Sequence, residues 1–161
     1  MLQQVVPRKD QEKLLAPTIT MIRQKGSTLD YYIIEKHEIN TVWNDVKDLI
    51  AKTSDELLNE NDVLQSLQTG EYILWIGTKP DSDAIVVALT VEYRYYPRHK
   101  MCQVVTIAGE NMKEWVDESI KVLEDWAKAQ GCAYMDMYAR RGWKKVLKDY
   151  KERCILLRKK L

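Results

Sequence analysis

The residues best suited to chemistry lie in the stretch TIAGENMKEW, residues 106–115. An apolar segment ends there at Gly109, and the stripe of apolar residues that begins at Met112 predicts a helix. A strand followed by a glycine turn and a helix start can hold a phosphate, because free backbone N–H groups and the positive end of the helix dipole converge there. This turn is therefore the first candidate for a ligand site.

Two features of the same turn argue against a bound anion. Glu110 would place a carboxylate beside the phosphates, and two charges ~5 Å apart at an effective dielectric of ~20 repel by about 3 kcal/mol. Asn111 and Glu114 have the spacing of a capping box, which would occupy the N–H groups that a phosphate needs. The sequence thus predicts a helix start that caps itself.

The elements that must position this turn form an α/β pattern. Predicted strands cover residues 31–35, 71–78, 84–96, 100–108, 132–139 and 153–160. Predicted helices cover residues 39–52, 54–68 with Ser54 as N-cap, 112–127 and 141–151. Short links between the three strands of residues 71–108 indicate an antiparallel meander, and the long helix that follows makes the next strand connection a parallel crossover.

The first 27 residues differ from this pattern. Pro7, Pro17, few apolar residues and a Gly-Ser end predict an extended arm over residues 1–27, followed by one folded domain over residues 28–161. Leu14 and Leu15 are too apolar for a purely solvated tail. We therefore expect the arm to dock on this fold or on a neighbour.

The order of elements, β-α-α-β-β-β-α-β-α-β, resembles that of the GNAT-type N-acetyltransferase fold. The stretches YPR, MCQV, GENMKEW, EDWAKAQGC and RRGWKKVLK are similar to those of the short GNAT-like proteins that tailed bacteriophages encode. The resemblance covers about four-fifths of the chain and leaves out the arm. It implies a GNAT-like mixed sheet with an antiparallel meander and one parallel crossover.

In enzymes of this family the loop before the long helix has the pattern Arg/Gln-x-x-Gly-x-Gly/Ala, whose backbone holds the pyrophosphate of acetyl-CoA. The matching cofactor-binding positions are Ile107, Ala108, Gly109 and Asn111. This chain keeps one glycine, and it lacks both the second glycine and the leading Arg or Gln. The resemblance therefore implies a degenerate acetyl-CoA site.

The catalytic positions of the family are matched only in part. Many members use a tyrosine on the last helix to protonate the departing thiolate, but Leu147 matches that position and Tyr150 lies three residues further on. Glu92 and Asp136 lie where family bases occur, and Glu110 is a further candidate base. For each acid, a solvated or salt-bridged carboxylate is the competing interpretation.

These departures favour a non-catalytic protein that holds no cofactor. The phage resemblance implies a virion structural or assembly component that contacts other phage or virion proteins, or itself, in the host cytoplasm during assembly or in the virion. The alternative is an acetyl-CoA-dependent N-acetyltransferase. A third interpretation, nucleic-acid binding through residues 94–100 and 140–145, is disfavoured by a net charge of only +1.

Charge is distributed unevenly, which points to an interaction surface near the C-terminus. Ten basic and two acidic residues follow Ala139, so that segment carries +8 and the remainder −7. Trp143 is the aromatic residue predicted to contact a partner. The predicted interaction surface consists of Arg140, Arg141, Trp143, Lys144 and Lys145.

Other residue types carry little functional signal. Cys102, Cys132 and Cys154 are predicted to be buried, reduced thiols, and His37 and His99 have no His or Cys at ligand spacing, so no metal site is predicted. No apolar run approaches the roughly 20 residues that cross a membrane. The polar N-terminus lacks the apolar core of a secretory signal, so we expect neither secretion nor a membrane partner.

Overall fold

A computed structural model of the chain describes residues 20–161. Six strands form one sheet, in the spatial order β1 to β6. The strands are β1 (Thr20–Ile22), β2 (Asp30–Ile34), β3 (Ile73–Thr78), β4 (Ile85–Tyr95), β5 (Lys100–Gly109) and β6 (Tyr134–Met137). The helices are α1 (Ile39–Ala51), α2 (Glu60–Thr69) and α3 (Met112–Ala129), with 3₁₀ turns at Lys36–Glu38 and Arg141–Lys145.

The pairing of the strands follows from their connections. Neighbours from β1 to β5 are antiparallel, and the link between β3 and β4 is short. β6 follows α3 and pairs in parallel with β5, because a crossover helix returns the chain to the same end of the sheet. The predicted α/β class, the meander and the parallel crossover are confirmed.

Each face of the sheet is covered by helices. The α3 face includes the buried side chains of Tyr31, Trp75, Leu89, Val104, Trp115 and Leu123. The opposite face packs on α1 and α2 and includes Tyr32, Val46, Leu67 and Leu74. Burial of each large apolar side chain contributes about 1.5 to 3 kcal/mol, so these two layers supply the main stabilisation.

The tryptophans support both layers. Trp75 is 1% exposed and meets Trp126 edge to face, with ring centroids 5.1 Å apart. Trp115 is also buried, and Trp43 is half-buried against the α1 and α2 layer. These tryptophans therefore belong to the two core layers of the sheet.

The end of the predicted N-terminal arm is part of the sheet. Residues 20–22 form β1, and the link from β1 to β2 is held to α3 by one carboxylate, Glu118. That carboxylate accepts hydrogen bonds from Ser27 Oγ (2.7 Å), Thr28 N (2.9 Å) and Leu29 N (3.0 Å). The remainder of the arm, residues 1–19, lies outside the described residues, and the domain division at residue 27 stays a prediction.

The second helix begins later than the sequence pattern predicts. α2 starts at Glu60, with Asn59 as N-cap in a capping box with Asp62. Ser54, the predicted N-cap, instead donates its hydroxyl to Glu60 Oε2 at 3.0 Å. Asn59 provides the reciprocal cap that Ser54 lacks, and Gly70 ends the helix in the left-handed conformation.

The two predicted C-terminal elements differ from the structure. The predicted helix over residues 141–151 is a 3₁₀ turn at Arg141–Lys145, and residues 153–160 are exposed and form no strand. The apolar residues 155–157 are consecutive rather than alternating, so they do not define one buried strand face. As a result Cys154 is exposed, contrary to its predicted burial, whereas Cys102 is buried and Cys132 half-buried.

Candidate functional site

The strands β5 and β6 separate part of the way along the sheet. β6 pairs with residues 101–104 of β5, whereas β4 pairs with β5 as far as Gly109. Thr90 pairs with Thr106 while Val91 pairs with Val104, so Val105 is an extra residue that bends β5 at this point. Within residues 20–161, no strand pairs with the β6 side of residues 105–109, and their backbone groups face an opening.

Gly109 is required by packing at the end of this opening. A Cβ atom there would lie 2.4 Å from the carbonyl oxygen of Val86 and 2.8 Å from the Trp115 ring. The Trp115 indole N–H also donates to the Glu110 carbonyl oxygen at 2.7 Å. The indole therefore fixes the turn against β4, and this glycine has a structural reason to be there whether or not a phosphate binds.

The predicted capping box at the start of α3 is wrong. Asn111 has φ 54° and ψ 50°, in the left-handed region, and no side chain of the described chain caps the helix. The Asn111 side chain makes no cap hydrogen bond, and the Glu114 N–H is satisfied by the Asn111 carbonyl oxygen at 2.9 Å. The earlier N–H groups of α3 keep their capacity to bind an anion.

The carboxylate of Glu110 is less of an obstacle than the sequence suggests. Its side chain is 79% exposed, and one of its oxygens lies 3.6 Å from Lys52 Nζ at the end of α1. Solvent and this cation both screen its charge, so its repulsion of an anion is weaker than two bare charges would give.

A cavity of about 770 Å³ lies on the α1 side of the same turn. Its charged lining consists of Asp45, Lys79, Asp83, Glu110 and Glu114. Four carboxylates against one ammonium group suit a cation. We therefore expect an anion to reach the start of α3 from the β6 side of the turn.

A row of three polar side chains crosses the sheet beside the opening. Glu92 of β4 is paired in register with Gln103 of β5, which is paired with Asp136 of β6. Their neighbours Val91 and Cys102 belong to the α3 layer, so alternation places the row on the α1 and α2 face. Two of the three predicted acids, Glu92 and Asp136, are thus brought together.

The row is polar and only partly solvated. Gln103 is 4% exposed, and its Oε1 atom has no hydrogen-bond partner among the described residues. Glu92 accepts a hydrogen bond from Arg94 Nε at 3.0 Å. Partial burial raises the pKa of Asp136; Arg94 opposes this effect and Glu92 adds to it. Groups that can hold or release a proton are therefore next to an unsatisfied acceptor.

Two hydroxyl groups lie further along the same face. Thr90 and Thr106 are buried, and their Oγ1 atoms are 2.8 Å apart. Thr106 follows the extra residue Val105, so this hydrogen bond ties β4 to β5 where β5 leaves β6.

Tyr150 lies on the other side of the sheet. Its hydroxyl donates to Glu124 Oε1 of α3 at 2.9 Å, and burial, together with that carboxylate, raises its pKa. Leu147, which matches the family tyrosine, is buried in the α3 layer. The structure therefore separates Tyr150 from Glu92 and Asp136.

The predicted interaction residues surround the second 3₁₀ turn. Arg140, Arg141, Lys144 and Lys145 are exposed, and Lys144 pairs with Glu152. Trp143 is half-buried and packs against the α3 layer. A partner contact at this surface stays a prediction.

Sequence reasoning missed Gln103, Lys52 and the Thr90–Thr106 pair. Alternation along β5 could have placed Gln103 between Glu92 and Asp136, had the strand registers been known. Lys52 joins the site only through tertiary folding, for which the sequence carries no local signal.

No helix in residues 20–161 is long and apolar enough to cross a membrane. The same residues contain no group of three or more His, Cys, Asp or Glu side chains placed to hold a metal ion.

Comparison with known proteins identifies the fold. No protein-family model matches the sequence, and no curated protein matches it. A GNAT family acetyltransferase from Staphylococcus aureus matches with a TM-score of 0.63 and 12% identity, over 84% of this chain and 100% of that one. Glucosamine-6-phosphate N-acetyltransferase from Arabidopsis thaliana gives 0.60 and 11%, over 83% and 99%. Ribosomal-protein-alanine N-acetyltransferase from Brucella melitensis gives 0.59 and 15%, over 82% and 99%.

The chain therefore has the fold of the GNAT acetyltransferases, as the order of elements predicts. The finer similarity to phage proteins stays a prediction.

Proposed function

We propose that the protein is an acetyl-CoA-dependent N-acetyltransferase, the function named above as the alternative to a non-catalytic role. The observation that carries the proposal is the free edge of residues 105–109, which leads directly into the uncapped start of α3. A backbone edge can bind an extended amide chain, and the helix start can bind phosphates. The two lie in the order that a phosphorylated pantetheine chain requires.

The residues present fit this cofactor. Backbone groups of residues 105–109 would align its pantetheine arm, and the first-turn N–H groups of α3 would bind its pyrophosphate. Bound there, acetyl-CoA supplies an activated acetyl thioester. Screening of Glu110 by Lys52 and the absence of a side-chain cap in the described chain remove two of the objections that the sequence raised.

The row formed by Glu92, Gln103 and Asp136, which we call the acidic row, supplies the proton chemistry that an amine acceptor needs. An ammonium group must lose a proton before its nitrogen can attack an acyl carbon, and a nearby carboxylate can accept that proton. Asp136, whose pKa is raised, and Glu92 are the two candidates. Gln103 lies between them, and its Oε1 atom is buried and unpaired within residues 20–161.

Two measurements on the whole chain test the proposal. Coenzyme A and acetyl-CoA at millimolar concentration should raise the melting temperature, because a ligand that binds only the folded state stabilises it. Acetyl-CoA with a panel of primary amines should release free thiol. The proposal would be refuted if coenzyme A and acetyl-CoA left the melting temperature unchanged and no amine caused thiol release.

The virion or assembly role that the phage resemblance implies stays a prediction. This role would become the favoured interpretation if coenzyme A failed to bind, because the fold alone does not establish an activity.

A further inference from the structure

The end of the hairpin formed by β4 and β5 exposes aromatic rings to solvent. Tyr95 is 74% exposed and Tyr96 52%, and Tyr134 at the start of β6 is 57% exposed. The ring of His99, which is also exposed, meets Tyr134 edge to face with centroids 5.3 Å apart. Large aromatic side chains that cluster in water indicate a surface that a ligand covers.

Three of these rings share one face of the sheet. Tyr96 and His99 are joined by two backbone hydrogen bonds, of 2.9 and 3.3 Å, which close the turn at Pro97 and Arg98. Residues paired in this way have their side chains on the same face, and the ring contact of His99 adds Tyr134 to that face. The strands hold the rings in place, so a ligand that stacks on them meets a surface that is already formed.

The same part of the chain is basic. Residues 93–101 and 128–134, which we call the hairpin surface, are joined by hydrogen bonds to and from Lys100. Its carbonyl oxygen accepts from Ala133 N at 2.9 Å, and its Nζ donates to the Gln130 carbonyl oxygen at 3.1 Å. The hairpin surface contains no acidic residue, and its four basic residues are Arg94, Arg98, Lys100 and Lys128. It therefore carries +4 with histidine neutral.

Much of this charge is available to a ligand. Arg94 is paired with Glu92, at 3.0 Å between Nε and Oε1, whereas Arg98 and Lys128 are exposed. Lys100 Nζ lies 3.8 Å from the centroid of the Tyr93 ring, which holds this cation within the aromatic cluster.

The balanced charge of the whole chain does not cancel this local charge. Glu92 and Asp136 flank the hairpin surface in sequence, and the other acidic residues are further along the chain. Salt screens exposed charges that are more than about 10 Å apart, so a ligand at the hairpin surface responds mainly to the charges beside it. The net charge of +1, which disfavours nucleic acid at the level of the sequence, is therefore a weak objection at this surface.

We infer that the hairpin surface binds single-stranded nucleic acid, with bases stacked on the rings of Tyr96, His99 and Tyr134. Exposed cations bind the phosphates, and flat rings bind unpaired bases of any sequence. The bases of a duplex are stacked on each other and do not offer their faces in this way. The surface lies at the opposite end of β5 from the Gly109 turn, so the inference does not depend on acetyl transfer.

Fluorescence anisotropy of labelled single strands, one DNA and one RNA of the same mixed sequence, tests the inference with the full chain. The wild-type chain should bind at least one of them at low salt, and the comparison shows which sugar is preferred. Tyr96→Ala combined with Tyr134→Ala should weaken binding about 100-fold, or about tenfold for each lost ring. Tyr96→Phe combined with Tyr134→Phe keeps both rings and should bind like the wild-type chain.

The inference would be overturned if the wild-type chain bound neither strand, or if the double alanine variant kept wild-type affinity. Heparin, a polyanion without bases, separates stacking from charge and from damage to the fold. The double alanine variant should bind heparin as tightly as the wild-type chain does. An equal loss of affinity for heparin and for the oligonucleotide would also overturn base stacking, as would binding to phosphatidylserine vesicles but to neither strand.

Salt dependence tests the phosphate contacts separately. Arg98→Ala should reduce the slope of log affinity against log salt by about 0.7, the value for one phosphate contact of a single strand. Lys47→Ala removes an exposed cation from α1 and should leave the slope unchanged. The same slope for Arg98→Ala and the wild-type chain would contradict a phosphate contact at the turn.

Discussion

Asp136 and Glu92 lie on opposite sides of Gln103, and partial burial raises the pKa of Asp136. If its carboxylate accepts the proton of the amine, activity requires its ionised form. The rate kcat/KM should therefore fall as pH drops, with a midpoint above the usual range of an aspartate.

Asp136→Asn should abolish this decrease of kcat/KM at low pH. It should also lower kcat/KM by about 100-fold, the usual size of a general-base contribution. The measurement is a pH profile of thiol release. Asp48→Asn, which removes an exposed carboxylate from α1, is the matched control. An Asp136→Asn variant with the wild-type profile would assign the proton to another group.

Glu118 stabilises the fold and does not belong to the candidate site. Burial alone would raise its pKa, but hydrogen bonds from Thr28, Ser27 and Leu29 hold the pKa below its usual value of 4.5. A carboxylate with a lowered folded-state pKa stabilises the fold at pH values above its unfolded pKa. That contribution is lost as pH falls through the folded pKa.

Glu118→Ala should lower the free energy of unfolding by about 2 kcal/mol at neutral pH, because the backbone and hydroxyl donors lose a charged acceptor. The difference from the wild-type chain should shrink in acid, as measured by urea unfolding at several pH values. Asp117→Ala removes an exposed acid from the same helix and should change stability little. An equal loss for both variants would show that the effect is not due to these hydrogen bonds.

At the scale of elements, regular periodicity made the helices and the strands β2 to β6 predictable, whereas β1 lies in residues that were predicted to be an extended arm. The stripe from Met112 to Ala127 predicted α3, and the short links predicted the meander. Irregular features were not predictable in the same way. Asn111 has the residue type of a cap but a left-handed backbone, which follows from how Trp115 fixes the preceding turn.

The site was predictable only in part, for a related reason. Residue type and family position indicated Glu92 and Asp136, but their assembly with Gln103 depends on strand register. The C-terminal strand was predicted from composition alone. Because the apolar residues 155–157 are consecutive, composition gave no alternating face that would place this segment on the sheet, and the structure shows no strand there.

The start of α3 gives a prediction for an element as a whole. Glu110→Lys replaces the acid nearest the helix start with a cation, which should tighten coenzyme A binding about tenfold, or about 1.4 kcal/mol. The gain should shrink as salt is added. Glu71→Lys makes the same charge change at the opposite end of the sheet and should leave affinity unchanged.

Isothermal titration of the two variants and the wild-type chain at two ionic strengths measures these affinities. Equal affinity of Glu110→Lys and wild type would mean that the phosphates do not bind at α3.

At the scale of the whole molecule, the sheet is continuous at one end and divided between β5 and β6 at the other. The division exposes the backbone of residues 105–109, and the α1 and α2 face presents the acidic row next to it. One ligand can thus reach both a helix start and a set of carboxylates. The proposed transfer of an acetyl group from a thioester to an amine uses these parts of the described chain and no others.

The most direct test is amide hydrogen exchange of the full chain with and without acetyl-CoA. Binding in the division should slow exchange in residues 105–113, where the β5 edge meets the start of α3, and leave β1 and β2 unchanged. Unchanged exchange in residues 105–113 at a saturating concentration, or protection confined to another part of the chain, would contradict the account.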